Sequence, residues 1–264
     1  MESKITFLGT GTSQGIPMIG CNCHVCKSTD PKDNRLRSSV LIEHQGFRLL
    51  IDCGPDFRQQ MLRENITDVD AILLTHQHKD HTGGLDDIRA FNYFRQSAFP
   101  IYCEERVQES LKMEYSYAFA EFKYPGVPEY EIRTIDEKPF EITKVLPDGS
   151  SSSITITPIR LIHCKLPILG YRIGNLAYLT DGSILPESEY QKLENLEIFI
   201  INTIRHAQHI SHFSLSEALD IISRVGARQS YLTHLSHQIG THQELTKELP
   251  ANVHAAYDGL TINF

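Results

Sequence analysis

Short apolar runs separated by turn residues recur along the chain and predict β-strands. The runs lie at residues 5–8, 40–43, 48–52, 71–75, 154–157, 176–180, 198–202 and 229–233. Strands of this kind intermingle with helical segments, but without a strict strand–helix–strand rhythm. The pattern therefore predicts an α/β protein with mixed sheets.

Two helix starts have the side chains of a capping box. Ser214 is followed three residues later by Glu217, and Thr241 is followed by Glu244. In this motif each side chain satisfies a backbone N–H group that the first helical turn leaves free. We expect helices after both positions, and two further helices at residues 58–64 and 86–95.

Residues 123–153 are rich in Pro, Gly and Ser and predict an insertion between regular elements. No other change in composition divides the chain. Residues 1–264 are therefore predicted to form a single domain.

Composition and charge narrow the classes of function. The chain has 25 Lys and Arg against 33 Asp and Glu, a formal net charge of −8, and 41% of its residues are hydrophobic. This is typical of a globular protein, and the acidic balance disfavours nucleic acid as a partner. No apolar run reaches the ~18 residues of a membrane span, and no secretory signal is visible. We expect a cytoplasmic protein with no membrane partner. Its oligomeric state stays open, with a homodimer as one alternative.

A histidine-rich segment follows the predicted strand 71–75. His76, His78, Asp80 and His81 lie within six residues. A helix would turn His78 away from His76 and Asp80, whereas a loop can present all four side chains to two neighbouring ions. Imidazole and carboxylate suit Zn²⁺ and also Mn²⁺ or Fe²⁺. The alternative is a solvated loop, but this spacing favours a metal site.

Three of the six cysteines, Cys21, Cys23 and Cys26, are crowded into six residues. Without a secretory signal, such a cluster predicts a structural Zn²⁺ site rather than disulfides or a redox pair. A tetrahedral zinc requires a fourth ligand, and His24 is the nearest histidine in sequence. The other three cysteines are predicted to be small core residues: Cys53, Cys103 and Cys164.

These motifs resemble those of known metallohydrolases. The spacing His76-x-His78-x-Asp80-His81 resembles the signature of the metallo-β-lactamase superfamily, whose fold is a four-layer αββα sandwich with a two-metal site. The segment 9–13, GTGTS, together with the cysteine cluster resembles the PhnP family of cyclic phosphodiesterases, which are related to ribonuclease Z. The matching motifs extend from residue 9 to residue 259.

The resemblance implies a complete set of ligands. One metal ion would be bound by His76, His78 and His163, the other by Asp80, His81 and His234, and Asp181 would bridge them. It also favours His237 over His24 as the fourth ligand of the structural zinc. Asp52, at the end of a predicted strand, is expected to brace the histidine loop from behind.

The resemblance further implies hydrolysis of a phosphodiester by a hydroxide shared between the two metal ions. His212 would be the general acid, and Asp80 would orient or deprotonate the water. We expect a small cyclic phosphodiester, such as a phosphoribosyl cyclic phosphate, as substrate. Arg205, His206 and His209 are candidates for substrate binding.

Three alternatives remain open. A ribonuclease Z-like enzyme would need a basic, glycine-rich arm, which the acidic segment 123–153 does not resemble. An iron-dependent oxidoreductase can share this fold. A binding module without turnover is disfavoured because all the implied ligands and His212 are present.

Overall fold

A computed structural model describes residues 3–146 and 148–264. Two seven-stranded sheets face each other at its centre. The strands of the first sheet, in spatial order β14-β1-β2-β3-β4-β5-β6, are β1 (Lys4–Gly9), β2 (Ser39–His44), β3 (Phe47–Ile51), β4 (Ala71–Leu73), β5 (Phe99–Cys103), β6 (Tyr130–Thr134) and β14 (Thr261–Asn263). This sheet is antiparallel from β14 to β3 and parallel from β3 to β6.

The second sheet has the order β13-β12-β11-β10-β9-β8-β7. Its strands are β7 (Phe140–Val145), β8 (Ser151–His163), β9 (Leu166–Ile173), β10 (Leu176–Leu179), β11 (Ile198–Asn202), β12 (Gln229–Thr233) and β13 (Val253–Ala255). The strands from β10 to β13 are parallel, whereas β7, β8, β9 and β10 alternate in direction. Strand β11 reads IFIIN and is buried throughout, as expected of a parallel strand covered on both faces.

Helices cover the outer face of each sheet. They are α1 (Phe57–Arg63), α2 (Lys79–Thr82), α3 (Arg89–Arg95), α4 (Glu105–Glu114), α5 (Ser116–Phe119), α6 (Leu215–Val225) and α7 (His242–Glu248). One apolar cluster fills the space between the sheets, and one lies under the helices on each outer face. The predicted αββα sandwich is therefore confirmed.

Both predicted capping boxes are present. The Ser214 hydroxyl accepts a hydrogen bond from the Glu217 N–H, and Thr241 and Glu244 make the same reciprocal pair. These boxes begin α6 and α7 at the predicted positions. The helix predicted at residues 86–95 is instead a 3₁₀ turn, Leu85–Ile88, followed by α3.

Three predictions from the sequence are wrong. Residues 123–153 are not an insertion, because they contain the edge strands β6 and β7 and the start of β8. Cys164 is not a core residue but is exposed at the turn between β8 and β9. The histidine segment is not entirely a loop, since residues 79–82 form the single helical turn α2. Within the described residues, every helix is too short or too polar to cross a membrane.

Candidate metal centre

The predicted ligands lie at one edge of the two sheets. His163 is the last residue of β8, and Asp181 and His234 follow the carboxyl ends of β10 and β12. These three strands run in the same direction within their sheet. Parallel strands end at a common edge, so residues far apart in sequence meet there.

The histidine segment reaches the same edge from the first sheet. It leaves β4, and His78 immediately precedes α2, which carries Asp80 and His81. The backbone here is tightly packed: a Cβ atom on Gly54 would lie 2.1 Å from the Asp80 carbonyl oxygen. Only glycine permits this close approach, so the loop and α2 are held in place.

The structure brings all seven predicted ligands together. Ligand atoms of His76, His78 and His163 lie within 4.8 Å of one another. The same holds for Asp80, Asp181 and His234. His81 joins the two groups, because it clusters within the same distance with His76 and Asp181. The predicted ligands thus form overlapping clusters, with His81 and Asp181 between the other residues.

The chemistry of these groups fits divalent cations. His76 is fully buried, and its Nε2 has no hydrogen-bond partner among the described residues. A buried, unpaired imidazole nitrogen is costly unless something binds it. Imidazole and carboxylate groups converging at this spacing are suitable metal ligands. The clustered His and Asp side chains therefore fit divalent metal ions.

Burial and charge shift the pKa values of the cluster. Burial lowers the pKa of His76 well below its ordinary value and that of His234 to about 4, which favours the neutral, ligating form. Burial also lowers the pKa of His81, but Asp181, Asp80 and Asp52 outweigh it and raise that pKa well above its ordinary value. Burial raises the pKa of Asp181, but His234 and His81 more than offset it and keep the carboxyl ionised.

Three residues of the site have left-handed backbone conformations. The φ angles are +63° at Asp52, +59° at Asp181 and +56° at His234. Non-glycine residues rarely adopt this region, and such strain is concentrated at functional sites. In each case the chain turns sharply at or just after a strand end, and the side chain points toward the cluster. No pattern in the sequence indicated these conformations.

Asp52 lies behind the cluster, as expected. Its Oδ1 accepts hydrogen bonds from the backbone N–H and the hydroxyl of Thr75, and its Oδ2 lies 2.6 Å from Nδ1 of His81. Asp52 thus connects Thr75, which follows β4, with His81 of α2.

His212 lies beside the seven ligands. Its Nε2 is 3.2 Å from Oδ1 of Asp181, and its Nδ1 is 2.9 Å from the Ser211 hydroxyl and 3.2 Å from Nδ1 of His209. Nδ1 of His163 donates a hydrogen bond to the carbonyl oxygen of Ser211. The loop after β11 is therefore tied directly to the cluster.

The other candidates for substrate binding differ in position. His209 lines a cavity together with His212. Arg205 instead donates to the carbonyl oxygens of Ala207 and Gln208, and His206 pairs with Glu248. The side chains of Arg205 and His206 do not line that cavity. A substrate-binding role for these two residues has no support in the geometry.

A second cluster contains the three close cysteines. Ligand atoms of Cys21, Cys23, Cys26 and His237 lie within 4.8 Å of one another, and Nδ1 of His237 is 3.2 Å from Sγ of Cys21. His24 instead contacts Glu244. A hydrogen bond from the Cys26 N–H, together with His237, lowers the pKa of Cys23 to about 6, which favours the thiolate that binds zinc. His237, not His24, thus lies with the three cysteines.

A family comparison agrees with this geometry. Residues 47–235 match the model of the beta-lactamase superfamily domain. The chain belongs to the metallo-β-lactamase superfamily. This superfamily member also resembles a crystal structure described as a new diphosphatase from the PhnP family, with 37% identity, a TM-score of 0.88, and coverage of 100% of this chain and 98% of the other.

Two curated relatives of this metallo-β-lactamase member are named for activities other than that of a diphosphatase. An octanoyltransferase of Porphyromonas gingivalis is 42% identical over 97% of this chain, but the match covers only 51% of that relative. The chain thus spans about half the length of that protein. A ribonuclease Z of Methanopyrus kandleri is 44% identical over 21% of this chain and 20% of its own length.

Proposed function

We propose that this metallo-β-lactamase member is a metal-dependent phosphodiesterase that acts on small cyclic phosphodiesters. The observation that carries the proposal is the position of His212, whose Nε2 lies 3.2 Å from Asp181 at the edge of the ligand cluster. A proton donor beside a site for cations is what the cleavage of a phosphate ester requires.

The clustered His and Asp residues would have two roles, binding the cations and orienting the attacking water. His76, His78 and His163, which cluster together, would hold one cation. Asp80, His81 and His234 would hold the other, and Asp181 would be shared by both. Two such cations supply Lewis acidity, which attracts the phosphate and makes water a stronger nucleophile near neutral pH. Asp80 would also orient the attacking water. Burial raises the pKa of Asp80, but the charge of His81 outweighs it and keeps this carboxyl ionised.

His212 would complete the reaction by protonating the departing oxygen. Its Nε2 faces the cluster, while its Nδ1 is held by Ser211 and His209. A ring held at one nitrogen presents the other in a defined direction, which is the geometry expected of a general acid.

Hydrolysis of a diphosphate is a second candidate, supported by the relative described as a diphosphatase. The two reactions differ in the leaving group. A phosphodiester releases an alkoxide, whereas a diphosphate releases a phosphate, and the alkoxide has the greater need of a proton as it leaves. Cleavage of RNA has less support. The segment that would need to be basic instead exposes six acidic side chains, those of Glu129, Glu131, Asp136, Glu137, Glu141 and Asp148.

The name octanoyltransferase describes a relative about twice as long as this chain. Acyl transfer needs an activated acyl-accepting group, whereas the cluster found here assembles ligands for cations. We therefore infer hydrolysis rather than acyl transfer for this chain.

The proposal is tested by assaying protein reconstituted with Zn²⁺ or Mn²⁺ on cyclic and linear phosphodiesters, a diphosphate and RNA. Elemental analysis of the protein as purified, before reconstitution, identifies the metal it carries and would reveal iron if the protein were an oxidoreductase. We expect turnover of cyclic phosphodiesters and of bis(p-nitrophenyl) phosphate. His76→Ala should abolish it, whereas His206→Ala, which changes an exposed histidine outside the cluster, should retain it. Equal turnover by all three proteins would refute the assignment.

A further inference from the structure

The segment 9–13, GTGTS, has no part in the proposed reaction, yet it joins the two sheets beside the metal centre. Gly11 forms one isolated β-bridge with Arg37, just before β2 of the first sheet, and another with Leu235, just after β12 of the second. The Leu235 N–H also donates a hydrogen bond of 2.8 Å to the carbonyl oxygen of Thr10. One short segment therefore contacts the ends of strands from both sheets.

The segment is packed tightly against the residues that precede β2. A Cβ atom on Gly11 would lie 2.7 Å from the carbonyl oxygen of Arg35, a distance that only glycine permits. Asp258 fixes the same contact from another side. Its Oδ1 accepts hydrogen bonds from the N–H and the hydroxyl of Thr10, and its Oδ2 accepts one from the Leu36 N–H. The position of the segment relative to β2 is thus well determined.

This contact places the hydroxyl of Ser38 against a predicted metal ligand, His234. Both residues are 1% exposed. The Ser38 hydroxyl donates a hydrogen bond of 2.9 Å to the carbonyl oxygen of Gly11, and its Oγ lies 3.2 Å from Nδ1 of His234. A hydroxyl has one proton to donate, and here Gly11 receives it. Ser38 therefore accepts a hydrogen bond from Nδ1 of His234.

The contact favours one tautomer of His234. In the neutral form that binds metal ions, imidazole carries a single proton, and a proton on Nδ1 leaves Nε2 free. Oδ2 of Asp181 also lies 3.3 Å from Nδ1. This carboxylate has another partner, because it accepts a hydrogen bond of 2.7 Å from the Thr180 hydroxyl, and it is itself a predicted ligand. Ser38 is thus the acceptor that remains available to Nδ1 when cations are bound.

We propose that Ser38 is a positioning residue for His234 and that the segment 9–13 holds Ser38 in place. By accepting the Nδ1 proton, Ser38 orients the ring so that Nε2 is the atom offered to a cation. The segment thereby couples a ligand of the second sheet to the first sheet. The proposal rests on the proposed function only in requiring that His234 binds a cation, and it does not depend on the substrate.

Ser38→Ala tests the proposal, because it deletes a single buried oxygen atom. We expect the His–Asp cluster of this variant to bind Zn²⁺ or Mn²⁺ about 10- to 100-fold more weakly, as measured by competition with a chelator. Ser38→Thr retains the hydroxyl and should recover most of the affinity. If the additional methyl group prevents folding, Ser38→Ala and its control below still decide the question.

Ser230→Ala is the matched control. Ser230 is fully buried in β12, four residues before His234, and its hydroxyl has no hydrogen-bond partner among the described residues. This variant should keep the wild-type affinity. Wild-type affinity in a folded Ser38→Ala protein would overturn the proposal. Equal losses in the two alanine variants would do so as well, because they would indicate a general loosening of the core.

The ring nitrogen that binds the metal can be observed directly by NMR of zinc-reconstituted protein with isotope-labelled histidine. We expect His234 to have a protonated Nδ1 and a zinc-bound Nε2, and His234→Gln identifies its signals by their loss. Coordination through Nδ1 would overturn the proposal, whatever the affinities.

Hydrolysis of bis(p-nitrophenyl) phosphate separates the two proposals. A protein that needs Ser38 for metal affinity but hydrolyses no phosphodiester would retain the role of Ser38 and lose the proposed function. A protein that hydrolyses phosphodiesters, and whose metal affinity is unchanged in Ser38→Ala, would do the reverse.

Discussion

Nδ1 of His81 lies 2.6 Å from Oδ2 of Asp52, and both side chains are fully buried. In neutral His81, the form that binds a metal ion, this contact favours the tautomer with the proton on Nδ1, because a carboxylate oxygen accepts a hydrogen bond there. With Nδ1 protonated, Nε2 is free to bind a cation. The Nε2 atom faces the carboxylates of Asp80 and Asp181, each at 3.2 Å.

Asp52→Asn should therefore weaken metal binding about 10- to 100-fold. The asparagine can still accept the hydrogen bonds of Thr75 with its carbonyl oxygen, but its amide then faces Nδ1 of His81. An amide donor at Nδ1 favours the tautomer with the proton on Nε2, where the cation should bind. The affinity for Zn²⁺ or Mn²⁺ can be measured by competition with a chelator.

Asp33→Asn is the control for this experiment, because Asp33 is equally buried but interacts with Ser28 and His242, away from the cluster. It should leave the metal affinity of the His–Asp cluster unchanged. Unchanged affinity in a folded Asp52→Asn protein would contradict the role of Asp52.

Two buried parallel strands of the second sheet were predictable because their apolar runs are nearly continuous and end at polar residues. β11 and β12 were predicted at the bounds that the structure has. The strands β6 and β7 lie at sheet edges and expose much of their length, so their sequences, YEIRT and FEITKV, have no strong apolar period. β9 contains Pro167 and Gly170, which usually argue against a strand. β9 is nevertheless a strand because it pairs with β8 on one side and with β10 on the other.

The sequence was sufficient to predict which residues form the candidate site. It was not sufficient to predict their backbone conformations or the cavity beside them. The spacing of His76, His78 and Asp80 indicated metal binding without any structural information. The left-handed conformations of Asp52 and Asp181 depend on contacts across the sheets, which no local pattern encodes. For the same reason, the cavity beside His212 could not be anticipated, since its walls come from three distant segments.

His212→Ala should lower kcat by a factor of about 10²–10⁴. The loss should be smallest for substrates with good leaving groups, such as p-nitrophenolate, because these departing oxygens need little protonation. Steady-state kinetics with a series of aryl and alkyl phosphodiesters would measure this dependence. A loss of the same size for every substrate would show that His212 does not act as an acid.

Cys23→Ser should lower the thermal stability of the protein and remove one equivalent of bound zinc. The thiolates and His237 join the N-terminal loop to the segment after β12, so loss of one ligand releases a long-range link. Differential scanning calorimetry and elemental analysis would measure both effects. Cys164→Ser, at an exposed position, should alter neither the melting temperature nor the zinc content. Retention of all zinc in Cys23→Ser would contradict the proposed ligand set.

The buried, neutral His234 should make the metal-free protein less stable as the pH falls. Burial lowers the pKa of this imidazole from its ordinary value of 6.5 to about 4. Between these values the unfolded chain binds a proton that the folded chain excludes, so the stability is fully present above pH 6.5 and is lost toward pH 4. The contribution to the free energy of unfolding should fall by about 2 kcal/mol between pH 7 and pH 5.

Urea unfolding of the wild-type and His234→Gln proteins, both stripped of metal with a chelator, would isolate this contribution. His81 acts in the opposite sense, because its raised pKa stabilises the fold below pH 6.5 and this stabilisation is lost at higher pH. Since both proteins contain His81, the difference between them reports His234. The advantage of the wild-type protein over the variant should shrink by about 2 kcal/mol from pH 7 to pH 5. A difference that stays constant with pH would show that His234 is not held neutral in the folded chain.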